Sequence, residues 1–367
     1  MSQFATYGFE TNSWFETNVF VSGEGGYHTY RIPALAVTRK GTVLAFCEGR
    51  KYSAADSGKI DLLLKRSSDG GHSWSACQIV ASDAQNVCGN PSPVVDQDTG
   101  TVWLLWTWNS GHDTEREIEG GTSKDTRRVF VTSSADDGVT WTKPLEITGS
   151  VKRPDWRWYA TGPGNGIQLS RGSHKGRLVV PCNHSEPQGL GFVSRSHVIF
   201  SDDHGKTWRL GGSAAPGSNE STVAELDDGS ILQNARSPRG KHLRGTAVSH
   251  DAGASWSGFH YDATLVEPGC EGSMVRCSWP SDGKPGWILF SNPASTRRER
   301  LTLRGSDDEG ATWSRKKEIC RGPSAYSSLA LLPTNEIACL FECGKQSPYE
   351  AIKLVVLPFA SLKSPAH

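Results

Sequence analysis

The 367-residue chain has only two methionines, no net charge and no long apolar run. Its longest strongly apolar stretch, Val102 to Trp106, is strand-sized. A membrane helix needs about 20 apolar residues, so no membrane span is expected. The 39 basic and 39 acidic residues balance. That balance offers nothing to attract nucleic acid or an anionic membrane, and any anion site has to come from a local cluster of cations. Cysteine lacks a pattern. Cys47, Cys77, Cys88, Cys182, Cys270, Cys277, Cys320, Cys339 and Cys343 are scattered and odd in number, with no C-x-x-C and no H-E-x-x-H. This excludes a regular disulfide framework and a zinc motif, so buried reduced thiols are expected, with no metal and no cofactor. The N-terminal MSQFATYGFETNSWFE has no basic stretch leading into an apolar one. It does not read as a signal peptide, which leaves a cytoplasmic protein or a secreted one whose signal has been removed.

What is abundant is turn-forming and aromatic: 40 Gly, 19 Pro and 13 Trp. That mixture points to an all-β chain. One octapeptide, Ser-x-Asp-x-Gly-x-(Ser/Thr)-Trp, recurs five times. The copies are Ser67–Trp74, Ser134–Trp141, Ser201–Trp208, Ser249–Trp256 and Ser306–Trp313, with first serines 67, 67, 48 and 57 residues apart. The residue types describe a tight turn. Asp caps backbone N–H groups, Gly takes a positive φ, Ser or Thr completes the hydrogen bonds, and Trp packs between strands. Strand-like runs such as Leu62–Leu64, Val129–Val131 and Val198–Phe200 precede the boxes. Each box is therefore expected to be a hairpin turn within one unit.

A strand-built repeat of about 50–60 residues means a solenoid or a propeller. Further turns, such as Asp227-Asp228-Gly229 and Lys40-Gly41, raise the count to four strands per unit. The expectation is a six-bladed β-propeller with four antiparallel strands per blade and five box turns. Its last blade would be closed by an N-terminal strand. No linker is visible, so residues 1–367 are read as one domain with a core over about 18–360, acting as a monomer. The boxes lie at outer turns and are assigned no chemistry.

Other residues gather near strand ends: Tyr30-Arg31-Ile32-Pro33, Glu48-Gly49-Arg50 with Asp56, Asn219-Glu220 with Arg236, Asn292–Ser295 with Arg298, Ser324–Ser327, and Leu340-Phe341-Glu342. Six groups spread over the repeats suit a site at an axis where the units converge. Glu225 and Asp227 are read as solvated turn residues. Gly162–Gly166 lacks the Gly-Lys-Ser/Thr ending of a phosphate loop and is read as a connection between strands. The sequons at Asn183 and Asn219 are read as accidental. Among Trp103, Trp106, Trp108, Trp156 and Trp158, most are core and one is expected to line a pocket.

The Arg-Ile-Pro motif, the five boxes and the ordered set Arg31, Arg50, Asp56, Glu220, Arg236, Arg298, Tyr326 and Glu342 resemble the retaining exo-sialidases of bacterial and animal type. The resemblance runs from about Tyr30 to Leu354. It implies a glycoside hydrolase that removes terminal α-linked sialic acid from glycans, glycoproteins or gangliosides, on a six-bladed propeller. By that resemblance Arg31, Arg236 and Arg298 hold the substrate carboxylate, for which guanidinium forks are suited. Tyr326 is the nucleophile, a neutral group that the substrate carboxylate does not repel, and Glu220 tunes it. Asp56 serves the leaving oxygen, Glu342 orients Arg31, and Arg50 and Asn90 touch the sugar. Other readings that keep the fold are a non-catalytic glycan-binding propeller, a trans-sialidase, and an enzyme preferring a deaminated nonulosonate.

Overall fold

The computed structural model describes residues 14–238, 240–281 and 283–362; of the segment read for targeting, residues 1–16, positions 1–13 lie outside them. The described chain is all-β, apart from two short helices and one 3-10 turn. After β1 (Phe15–Val21) come β2 (Thr29–Val37), β3 (Val43–Arg50), β4 (Ile60–Ser67) and β5 (Gln78–Ala81), paired antiparallel in that order. A single parallel pair, Ile60 with Val87, joins them to β6 (Val87–Val95), β7 (Val102–Asn109), β8 (Arg128–Ser134) and β9 (Leu145–Glu146). Next are β10 (Tyr159–Thr161), β11 (Ile167–Gln168), β12 (Leu178–Gln188), β13 (Gly191–Ser201) and β14 (Arg209–Ser213), with β10 and β11 both on β12. A separate four-stranded sheet holds β15 (Ser221–Glu225), β16 (Ile231–Ala235), β17 (Leu243–Ser249) and β18 (Ser257–Val266). The final sheet has seven strands: β19 (Ser273–Ser278), β20 (Trp287–Pro293), β21 (Glu299–Ser306), β22 (Arg315–Leu331), β23 (Ile337–Cys343), β24 (Ala351–Leu357) and, on its far edge, β1. β22 is long enough to serve twice. Its first half pairs with β21 and its second with β23.

Each box forms a hairpin turn, between β4 and β5, β8 and β9, β13 and β14, β17 and β18, and β21 and β22. In the first, Asp69 Oδ1 accepts the Ser73 N–H at 2.9 Å, Asp69 Oδ2 accepts the Ser73 hydroxyl, and Ser67 Oγ accepts the Gly71 N–H at 2.8 Å. The other four repeat this set. The fifth-position glycine has a second duty. A Cβ on Gly138 would lie 3.1 Å from Leu44, on Gly205 2.1 Å from Trp103, on Gly253 2.8 Å from Val198, and on Gly310 2.4 Å from Leu232. Each contact reaches back into the strands that precede the box's own group. Gly71, in the first box, meets Leu354 of β24, where a Cβ would be 2.2 Å away. The box tryptophans pack on the same seams, Trp208 within a buried cluster and Trp74, Trp141, Trp256 and Trp313 against others.

Two readings need correction. Glu225 is buried, not solvated: Ser170 and Arg171 donate backbone N–H groups to its carboxylate at 2.8 Å. The nine thiols are free, but Cys77 is exposed and Cys277 and Cys320 are only half-buried. The position before each box glycine is also left-handed, with φ of 58° at Asp137 and 59° at His204. No described helix is long and apolar enough to cross a membrane.

Candidate active site

One cavity of about 890 Å³ takes in Arg31, Arg50, Asp56, Asn90, Glu220, Arg236, Arg298 and Tyr326. These residues come from strand ends and bulges across the chain. Arg31 sits where β2 and β3 lose register, before Ala34. Asn90 sits at the corresponding shift of β6 against β7, and Tyr326 at that of β22 against β23. Bulges re-aim side chains, and here they do so beside the same cavity. At two of them a non-glycine residue is left-handed just before a proline: Ile32 at φ 59° and Asn90 at φ 54°. For β-branched Ile32 that conformation is strained. It is held there because the Ile32 N–H donates to Glu342 Oε1 at 2.8 Å.

Tyr326 is the centre of the cluster. Its hydroxyl donates to Glu220, 2.6 Å from Oε1 and 2.7 Å from Oε2. Arg236 Nη1 lies 2.7 Å from Glu220 Oε2 and 3.2 Å from the phenol oxygen. The guanidiniums of Arg31 and Arg298 each stand 5.3 Å from the centre of the Tyr326 ring. Burial pushes the Tyr326 phenol far above its usual range and the Glu220 charge adds to that, while Arg236 and Arg298 pull it down. At rest the group is therefore a phenol whose proton already points at a carboxylate.

Buried carboxylates hold the arginines in place. Glu342 is fully buried on β23 and takes three donors: Arg31 Nε at 2.7 Å and the Ile32 N–H on Oε1, and the Tyr326 N–H at 3.2 Å on Oε2. It bolts β2 to β22. Glu48 does the same between β3 and β6, accepting Arg50 Nη2 at 2.7 Å and the Asn90 N–H at 2.9 Å. Arg50 also reaches Asp56 Oδ1 at 2.6 Å, from the loop after β3. The Asp56 side chain is 59% exposed to the cavity. The surrounding walls strip part of its water and raise the carboxyl, but Arg50 and then Arg31 outweigh this and hold it below the ordinary range.

Asn90 does not present a free amide oxygen. Arg127 Nη2 donates to its Oδ1 at 2.6 Å, and the Thr107 hydroxyl at 3.1 Å. Arg127, stacked 3.9 Å from the Trp158 ring, is thus a wall residue that sequence reasoning missed. Trp158 is the pocket tryptophan among the five considered. Tyr349 was missed as well: its hydroxyl accepts from Arg298 Nη1 at 2.7 Å, and its ring lies 4.1 Å from the Arg31 guanidinium. Glu115, first residue of a short helix (Glu115–Gly120) that Thr114 caps with Glu117, adds a further carboxyl to the lining, under the influence of Asp56 and Glu220. Burial and those two charges push it up. The Thr114-x-x-Glu117 pattern is a local signal that can mark the helix carrying Glu115; no local signal marks Tyr349 or Arg127. Asn219 lines the cavity and Asn183 is buried, so neither sequon is an open surface site. A trio of possible metal ligands, Asp96, Asp98 and His204, lies away from the cavity lining. Asp96 there already accepts the Asp98 N–H at 2.9 Å and the Thr99 hydroxyl at 2.8 Å.

These features define a propeller-type protein of Asp-box repeats with an arginine-framed tyrosine pocket. Residues 41–338 match the model of the BNR repeat-like domain. The chain is 33% identical over 353 residues to a sialidase of Micromonospora viridifaciens, covering 93% of this chain and 54% of that one. It is 32% identical to an exo-alpha-sialidase of Aspergillus fumigatus, covering 86% of this chain and 79% of the relative. Among solved structures, the Hadza microbial sialidase Hz136 superposes with a TM-score of 0.84 at 29% identity, covering 95% of this chain and 69% of that one. The chain belongs to the sialidase family. It spans little more than half the length of the Micromonospora relative.

Proposed function

We propose that this chain is an exo-α-sialidase, hydrolysing terminal α-linked sialic acid from glycans, glycoproteins or gangliosides with retention through a tyrosyl intermediate. The observation that carries the reading is the Tyr326–Glu220 contact, with Arg31, Arg236 and Arg298 around it. The arginines bind the carboxylate of the sugar at C2. Sialidases with a tyrosine nucleophile are a known exception among glycoside hydrolases. A neutral phenol approaches an anomeric carbon that bears a carboxylate without charge repulsion. As the Tyr326 oxygen bonds to C2, its proton passes to Glu220 and the C2–O bond to the aglycone breaks. Asp56 gives its proton to the departing oxygen. Water then attacks C2, Asp56 takes its proton, and Tyr326 leaves and recovers its own from Glu220. In the resting pocket Asp56 is held as a carboxylate by Arg50 and Arg31. A bound substrate favours its protonated form twice over, because the substrate carboxylate offsets the Arg31 charge and the sugar excludes water.

The scaffold proposed with this function is a single six-bladed ring over residues 1–367, four strands to a blade, with β22 shared between the last two. The box glycines support it, since each packs on the preceding group and the first packs on β24. A 2,3-difluoro sialic acid should leave a covalent adduct on Tyr326, found by peptide mass mapping. Product NMR with an aryl N-acetylneuraminide should show the α-anomer first. An adduct on Glu220 or Asp56, or the β-anomer as first product, overturns the mechanism; binding without turnover overturns the activity.

A further inference from the structure

Beneath Tyr326 lies a carboxyl that the mechanism does not use. β22 slips against β23 between Ser324 and Ser327, and at this bulge two successive backbone N–H groups go to side chains. The Tyr326 N–H donates to Glu342 Oε2 and the Ser327 N–H to Glu271 Oε2, each at 3.2 Å. The two acceptors come from different elements, Glu342 from β23 and Glu271 from the connection just before β19, and they differ in kind. Glu342 is ion-paired to Arg31 at 2.7 Å. Glu271 is 1% exposed and forms no ion pair among the described residues, and its Oε1 has no hydrogen-bond partner there. That oxygen faces Gly164, where a Cβ would come within 3.0 Å of it. The charged groups acting on Glu271 are Glu220, Arg244 and Glu342. Arg244 already donates to Asn234 Oδ1 at 2.6 Å and lies 3.6 Å from Glu267.

Resting on the reading of Tyr326 as nucleophile, we infer that Glu271 is a positioning residue, which fixes β22 at Tyr326 by accepting the Ser327 N–H and does so as a neutral partner rather than as a charge. Two buried carboxyls then grip adjacent peptide groups from either side, and only one of them carries a charge. Burial without a paired cation favours the protonated acid; burial and the nearby Glu220 charge both push Glu271 up. A negative charge at this depth would alter the proton affinity of the Tyr326–Glu220 pair. A neutral acid holds the strand and leaves that pair alone.

The test is a pair of variants assayed on an aryl N-acetylneuraminide. Glu271→Gln keeps a neutral acceptor and should leave kcat, KM and the pH profile unchanged. Glu271→Met keeps the volume but offers no acceptor. It should lower kcat about a hundredfold with KM little changed, as expected for misplacing a reacting group by roughly an ångström. Wild-type kcat in Glu271→Met would show that the contact positions nothing. A Glu271→Gln enzyme as slow as Glu271→Met, or one with a displaced pH profile, would show that the charge is what matters. If Glu271→Met does not fold, the Glu271→Gln profile decides alone. Tyr326→Phe in the same assay separates the two readings: normal turnover there removes the nucleophile, and this inference with it.

Discussion

Arg298 illustrates how a single side chain is prepared for a ligand. Tyr349 Oη lies 2.7 Å from Nη1 and the Gly269 carbonyl 3.2 Å from Nη2, so the fork is already aimed. Arg298→Ala should weaken a carboxylate-bearing sialic acid analogue by about 2–5 kcal/mol, the usual result of removing one partner of a buried charged pair. Calorimetry with the acid and its methyl ester checks this, because the ester should bind both proteins alike. Asp56 makes a different prediction. If it protonates the leaving oxygen, Asp56→Ala should slow sialyllactose far more than an aryl glycoside, whose phenol departs without help. Equal losses on both substrates would remove Asp56 from that step.

The box turns belong to the scaffold. Asp308 Oδ1 accepts the Thr312 N–H at 2.8 Å and the Ser306 hydroxyl at 2.8 Å. Asp308→Ala strands these donors and should destabilise the protein by about 1–3 kcal/mol while leaving kcat unchanged. Urea unfolding and steady-state kinetics read the two separately. Such turns were legible in the sequence because every residue in them has a local reason, and the strands around them followed from the apolar runs before the boxes and from turn spacing. Arg31, Asp56, Glu220, Arg236, Arg298 and Tyr326 could be gathered as strand-end groups from the sequence, but the roles given to them come only from family resemblance, since nothing local marks what an arginine at a strand end does. The bulges at Arg31, Asn90 and Tyr326 were not legible at all, although a proline follows two of them. Nor were the carboxylates beneath, Glu48, Glu271 and Glu342, traceable as braces from spacing: their partners lie as far as 311 residues away along the chain. Glu225 was misread for the same reason, because the turn that follows it looks exposed while its own partners arrive from Ser170 and Arg171.

Stability against acid follows from groups spread through the core. His184 and His197 face each other, Nδ1 to Nδ1, at 3.0 Å, under the stacked ring of Trp156. Burial lowers His184 to about 3, helped by Arg195, Arg153 and Lys152, and lowers His197 well below its usual value. Glu186 Oε2, 3.9 Å from His184 Nε2, is the nearest compensating charge. The folded state therefore favours neutral imidazoles. Their contribution is complete above the unfolded value of about 6.5 and is lost as pH falls from there towards about 3. His197→Leu should flatten the decline of Tm between neutral and mildly acidic pH, a difference from wild type that scanning calorimetry resolves. A parallel decline in both proteins would mean that the pair is not the acid-labile element.

The pairing of β1 with β24 carries a consequence in time. Phe15 lies against Val356 and Thr17 against Leu354, while Val19 and Phe20 are buried behind them. On a ribosome the first of these strands emerges long before its partner, by on the order of tens of seconds at ordinary elongation rates. Through that interval β1 has a hydrophobic face and no partner in β24, so the β1–β24 seam is the last of this sheet to be made. The intermediate that waits for it has an unsatisfied edge, which is where nascent chains of this protein should first aggregate or recruit a chaperone.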